Sequence, residues 1–212
     1  MPFVTCEMRW LLEGPLPGKA LRWFENDPQP IAPPPREDRY LVLPGVTDMG
    51  IKRREGRIEI KGRIAVLGSH VIAPGIEGGA ERWCKWTYDA ASIAAGWFEG
   101  KDAIVVGKSR MQKHYLLEPG GLAQPSAKRD LPRRGFSLEL TRVRLPSSGG
   151  ERWSLGIEAS PDDATLLADL LRAIPGVLRD FPTSLPLSRS LSYPEWLARL
   201  ELDATTEKRK AR

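Results

Sequence analysis

Between Arg39 and Leu67 the chain alternates charged and apolar residues with a period of two. In Arg57-Ile58-Glu59-Ile60-Lys61-Gly62-Arg63-Ile64 every second residue is charged and the others are Ile or Gly. Strand side chains point alternately to opposite faces, so Arg57, Glu59, Lys61 and Arg63 share one face and Ile58, Ile60 and Ile64 the other. Lys52 and Arg54, just upstream, also share a face. The pattern predicts two strands joined by a turn at Glu55-Gly56. Two arrangements produce it. One is a half-solvated antiparallel sheet with its charges in water. The other is a barrel or tunnel whose lumen holds the charges and grips an anion.

The same alternation recurs along the chain. Phe3 to Leu12 reads as a first strand, with Thr5, Glu7 and Arg9 on one face and Val4, Cys6, Met8 and Trp10 on the other. Ala80 to Tyr88 reads as a strand with Trp83, Lys85 and Thr87 together, opposite Arg82, Cys84 and Trp86. Asp102 to Leu117 places Lys108, Arg110, Gln112 and His114 on one face. Gly135 to Arg144 and Glu151 to Ala159 read as a hairpin across Pro146-Ser-Ser-Gly-Gly150, with Glu139 and Glu158 on polar faces. Trp83, Trp86 and Trp153 read as core or rim packing.

Between these strands lie other signals. Lys19 to Glu25 predicts a short helix. Asp27 to Pro35, with five prolines, predicts an irregular connector. His70 to Gly79 and Pro119 to Arg134 read as loops, and Asp89 leads into a helical turn ending at Gly96. Ser160-Pro161-Asp162-Asp163 predicts a helix start with Ser160 as N-cap. That helix runs to about Ala173 on a stripe of Leu166, Leu167, Leu170, Leu171 and Ile174. A last short helix begins at Ser192 or Tyr193 and ends near Leu200. Seven or eight antiparallel strands with few helices at the edges give an α+β class built on a curved sheet or barrel.

Composition narrows the function classes. At 212 residues the chain suits one generous domain with an appendage, here 1–175 and a C-terminal extension with a basic tail, 176–212. The net charge of +5 is modest, and part of it sits in Lys208-Arg209-Lys210-Ala211-Arg212, which reads as a disordered tail. Nucleic-acid binding does not follow from it. Two cysteines, Cys6 and Cys84, without zinc spacing argue against a structural zinc site and fit a reduced compartment, with a disulfide left open. No signal-peptide pattern or spanning apolar run is present, so the sequence predicts a cytoplasmic protein without a membrane partner.

The chemistry lies in the excess of Lys and Arg on the strand faces, with carboxylates mainly on the first and last strands. Lys and Arg bind phosphoryl oxygens as charge-assisted donors. Carboxylates can hold Mg2+ or Mn2+, which take oxygen ligands. His114, beside Arg110, is a candidate general base.

Taken in order from Val4 to Ala159, the stretches CEMRWLL, RYLVLPG, GIKRREGRIEIKGR, RWCKW, GKSRMQKHY, FSLELTRV and WSLGIEA resemble the CYTH or triphosphate tunnel metalloenzyme superfamily. The resemblance implies an antiparallel eight-stranded β-barrel tunnel with a few peripheral helices. It implies a triphosphate-bearing small molecule or polyphosphate as partner and metal-dependent hydrolysis of that substrate, inorganic or organic. By position, Arg9, Lys52, Arg54, Lys61, Arg63, Lys85, Lys108 and Arg110 would bind phosphates. Glu7 and Glu158 would be catalytic, and Glu7, Glu139 and Glu158 would hold Mg2+ or Mn2+. The family signature Glu-x-Glu-x-Lys falls on Thr5-Cys6-Glu7-Met8-Arg9, so its first carboxylate is Thr5 here and its lysine is Arg9. This departure thins the metal site and points to a divergent branch. It opens the alternative of a non-catalytic polyphosphate- or nucleotide-binding protein with the same tunnel. A third reading is an open sheet whose charged face meets a protein partner.

Overall fold

The computed structural model describes residues 2–26, 28–89, 95–100, 103–127, 132–146 and 150–210. Among them, the strands are β1 (Phe3–Glu13), β2 (Arg36–Leu41), β3 (Met49–Arg54), β4 (Arg57–Ala73), β5 (Ile76–Asp89), β6 (Ala103–Glu118), β7 (Leu122–Ser126), β8 (Gly135–Arg144) and β9 (Glu151–Ser160). The helices are α1 (Gly18–Glu25), α2 (Leu166–Val177) and α3 (Tyr193–Lys210).

The lateral order is β2-β3-β4-β5-β1-β9-β8-β6, and β6 pairs back onto β2, so eight antiparallel strands close on themselves. The closing seam runs from Arg36 opposite Lys108 to Leu41 opposite Ala103. β6 makes closure possible because it is 16 residues long. One of its edges pairs with β8; the other pairs first with β2 and then with β7. Closure removes the unpaired edges that an open sheet would expose. The charged faces therefore enclose a lumen, and the open-sheet reading is set aside.

The main core lies outside the barrel wall. Met8 and Trp10 of β1, Phe136 and Leu138 of β8, and Leu155 and Ile157 of β9 are buried on the outer face. They pack with Leu166, Leu170 and Ile174 of α2 and Phe24 of α1. The predicted leucine stripe of α2 is the surface that covers them. Burying side chains of this size stabilises by roughly 1.5–3 kcal/mol each. This core holds the wall while the inner face carries charge. Cys6 and Cys84 are buried free thiols.

The tertiary structure corrects several sequence expectations. Residues 70–79 are not a loop: β4 runs to Ala73 and β5 starts at Ile76, around a turn with Gly75 at φ +75°. Gly78 is there because a Cβ would sit 2.4 Å from Trp10 Cζ2, and the Trp10 indole N–H donates to the Glu77 carbonyl at 2.7 Å. Pro119–Arg134 contains β7, recruited by the unpaired second half of β6. Ser160 is not an N-cap. It pairs with Gly135 as the last residue of β9, and α2 starts at Leu166. Asp163 instead accepts from the backbone N–H and hydroxyl of Thr165 and from Arg134, which also reaches Asp169. The last helix does not stop near Leu200 but continues to Lys210. Of the helical turn expected after Asp89, residues 90–94 lie outside the described residues, and a 3-10 turn covers Ala95–Phe98. Of the basic tail, Ala211 and Arg212 also lie outside them.

Candidate functional site

The barrel encloses a cavity of about 480 Å³. Glu7, Arg9, Lys52, Arg54, Lys61, Lys85, Lys108, Arg110, Glu139 and Glu158 all line it. Arg63 shares the face of Lys61 but is not itself a lining residue: its guanidinium pairs with Glu81, which lines the cavity, and lies 5.9 Å from the Trp83 ring. Trp83 borders the cavity and is at the same time a buried packing residue, as expected. The lining contains eight Lys or Arg and five Glu, an excess of three positive charges, which the buried Asp38 lowers to two. A low-dielectric wall around such an excess focuses a positive potential into the cavity.

Three groups of side chains organise the interior. The first is a lateral row of carboxylates. In the β5-β1-β9 register Glu81 stands opposite Glu7, and Glu7 opposite Glu158. Ser137 and His114 continue the row on β8 and β6. Three acids side by side would repel one another, and cations intervene. Lys61 pairs with Glu7, which also accepts from the Thr5 hydroxyl, and Arg63 pairs with Glu81. Burial alone would raise the Glu7 carboxyl, but the Lys61 charge and hydrogen bond outweigh it and hold it below the usual range. Thr5 thus serves as a hydrogen-bond donor to Glu7.

The second group centres on Glu139. Arg9 and Arg110 approach it at 3.2 and 3.3 Å, and Thr141 donates to it at 3.0 Å. Burial opposes ionisation, yet the Arg9 charge prevails and the carboxyl is held at about 2. Gly156, opposite Arg9 on β9, makes this possible, since a Cβ there would lie 2.8 Å from the guanidinium.

The third group sits at the closing seam. Lys108 donates to Asp38 at 2.9 Å and to the Tyr40 hydroxyl at 2.7 Å. Arg36 and Lys52 also contact Asp38, at 3.1 and 3.4 Å, and Lys52 pairs with Glu59 at 2.9 Å. Asp38 is fully buried, and Lys108, Lys52 and Arg36 hold it well below the ordinary aspartate range against that burial. Burial pushes the two lysines down to about 8, aided at Lys52 by repulsion from Lys108. At neutral pH these ammonium groups are charged, each held by a carboxylate partner against its burial.

Arg36 and Asp38 continue the i, i+2 alternation of Tyr40 upstream of Arg39, and that alternation is the sequence signal for all three. Only the strand register places Glu81 beside Glu7. Tyr193 carries no local signal at all.

Carboxylate oxygens are the right donors for Mg2+ or Mn2+. As placed, Glu7 is bonded to Lys61 and Glu139 to Arg9 and Arg110. Among the described residues no group of three His, Cys, Asp or Glu side chains could hold a metal ion.

No family model matches the chain, and no curated protein does. Solved structures do. The chain is similar to the PH1819 protein of Pyrococcus horikoshii, with 14% identity over 91% of this chain and 98% of that one, at a TM-score of 0.48. A conserved hypothetical protein of Pyrococcus furiosus gives 13% identity over 90% and 98%, at 0.46. The PH1012 protein of P. horikoshii gives 13% over 87% and 93%, at 0.44.

Proposed function

We propose that the chain binds a triphosphate-bearing compound, inorganic or organic, inside the barrel. The observation that carries this reading is the surplus of cations on the lumen wall, gathered from six strands into one cavity. Arg9, Lys52, Arg54, Lys61, Lys85, Lys108 and Arg110 act as phosphate donors, with Arg63 paired to Glu81 beside them. Charge-assisted donors of this kind bind phosphoryl oxygens about twice as strongly as neutral ones. A bound polyanion would take over cations now held by Glu7, Glu59 and Glu139. The resemblance to the triphosphate tunnel metalloenzymes supports the same ligand class.

The test is a melting curve and a titration with tripolyphosphate, ATP and thiamine triphosphate in EDTA. A raised melting temperature with any of them supports binding. No shift and no heat of binding would sink it and leave the charged lumen a structural feature.

A second reading is metal-dependent hydrolysis of the same ligand. One observation favours it: Glu81, Glu7 and Glu158 occupy one lateral row on the lumen wall. Phosphate release that requires Mg2+ or Mn2+ and vanishes in Glu7→Gln or Glu158→Gln, with binding retained, would establish it. Binding without release under both metals would leave a binding protein.

A further inference from the structure

Closure of the barrel leaves one long strand edge uncovered. β4 is 17 residues long, and β3 pairs with it only as far as Gly62. The last bond on that side runs from the Arg63 N–H to the Asp48 carbonyl at 2.7 Å. Over residues 64–73 β4 pairs with β5 on one side, and among the described residues no strand or bridge pairs with the other. The far margin of the sheet is β7, which is five residues long and blunted by Pro125.

Natural edges carry charge, most often Lys, to keep foreign strands away. Ile64-Ala-Val-Leu-Gly-Ser-His-Val-Ile-Ala73 contains no Lys, Arg, Asp or Glu, although the run just before it has a charge at every second position. Ile64, Val66 and Val71 are 55, 69 and 77% exposed, and Met49, opposite Gly62, is 37% exposed. Four large apolar side chains thus follow one stretch of edge. A single exposed valine needs no explanation; a row of them beside unpaired N–H and C=O groups does. His70 covers one carbonyl, that of Leu67, at 3.2 Å.

The other side of this hairpin is fixed. Ile72 and Ile76 are buried in the main core, and the Trp10 indole bonds the Glu77 carbonyl. The Glu77 N–H donates to the Leu185 carbonyl at 2.9 Å, and the Leu185 N–H donates to the Gly75 carbonyl at 2.8 Å. The edge is therefore presented in one shape, which lowers the ordering cost of an association. That shape selects the occupant. Register shifts after Arg63, Val66 and Val71 place bulges on β4, and bulges bend and twist a strand. A flat strand does not follow such a bend. A second copy related by a two-fold axis runs antiparallel and carries the same bulges, so the two curves match and no like charges meet. Two-fold pairing also covers both edges at once, where a head-to-tail contact would continue into a filament.

We propose that two copies of the chain pair antiparallel through residues 64–73 of β4, with Ile64, Val66 and Val71 packed across the join. The two barrels then share one continuous sheet. The lining residues of β4, Glu59 and Lys61, precede the paired segment, so the inference is independent of what the lumen binds.

Sedimentation velocity of the full chain from about 1 to about 300 µM spans weak to moderate association. The sedimenting mass doubles within that range; a monomer throughout overturns the proposal. Val66→Glu combined with Val71→Glu sets like charges across the join at exposed positions, and weakens dimerisation by at least about tenfold. Leu122→Glu, on β7, is the control and leaves the dimer as in the parent. A dimer that survives the double change, or that Leu122→Glu breaks instead, overturns the proposal. Hydrogen exchange on the parent reads the edge without any substitution and decides if the double variant melts early. Outward amides of residues 64–73 gain protection as the chain dimerises, and a dimer in which they exchange as in the monomer overturns the strand pairing.

Discussion

Lys108 on β6 and Asp38 on β2 meet at 2.9 Å across the seam that closes the barrel, with the lysine 6% and the aspartate 0% exposed. The pair is at once part of the wall and part of the lumen. Its further partners are Lys52, Arg36 and Tyr40, so Asp38 is the carboxylate that Lys108, Lys52 and Arg36 share. Removing it leaves buried like charges facing one another. Asp38→Asn is expected to destabilise the fold by about 3–5 kcal/mol. A urea denaturation curve reads this directly, and an unchanged midpoint would show that the seam does not depend on the pair.

Lys61 is the cation of the acid row and bridges β4 to Glu7 on β1. Arg82, on the outer face of β5, pairs with Asp162 at 2.8 Å and does not line the cavity. Lys61→Ala should weaken tripolyphosphate roughly ten- to a hundredfold, the scale of one charge-assisted contact. Arg82→Ala should leave affinity within about twofold, since it changes only a partly exposed pair. Equal losses in the two variants would argue that binding occurs outside the barrel.

The two seam lysines set the response to alkaline pH. Their folded pKa values, about 8, lie below the ordinary 10.5 of an unfolded lysine. Between these values the unfolded chain binds more protons, so the stability of the ligand-free protein rises with pH across that window. Ligand binding runs the other way, because a phosphate favours the ammonium form. Affinity should fall as pH rises above 8, by up to about tenfold per unit for each lysine that must be protonated. Calorimetry at pH 8.5 in two buffers of different ionisation heat would show proton uptake on binding; zero uptake would contradict the assignment.

At acid pH the sign is that of a carboxylate. Glu139, held at about 2 against a usual 4.5, contributes stability that is complete above 4.5 and is lost as pH falls from there towards 2. Glu139→Gln should flatten that part of the stability profile. A variant whose acid transition is as steep as the parent's would place the titration elsewhere.

Gly78 lies against the Trp10 indole. Gly78→Ala should cost about 1–3 kcal/mol through overpacking of the extended β4–β5 hairpin. A parent-like thermal midpoint would mean that the indole can shift, at the expense of its bond to Glu77.

Which residues face the lumen was legible because a strand has a fixed period of two. Glu7 and Arg9, or Lys108 and Arg110, share a face whatever the strand pairs with, and the wall confirms each of them. The reading failed where the decisive contact is made by a distant segment. Gly75, Gly78 and Gly79 resemble a loop until Trp10 and Leu185 are seen against the hairpin. Ser160 resembles an N-cap until Gly135 claims it for a ladder.

By itself the sequence determined the strand faces, the leucine stripe of α2 and the positive balance of the polar face, because each follows from local periodicity and composition. Only the tertiary structure decided that the sheet closes, that Lys108 meets Asp38, that Glu81, Glu7 and Glu158 share one row, and that Tyr193 returns from the end of the chain to stand in the lumen. These depend on register and closure among strands far apart in sequence. A one-residue change in register would send every one of these side chains to the other face.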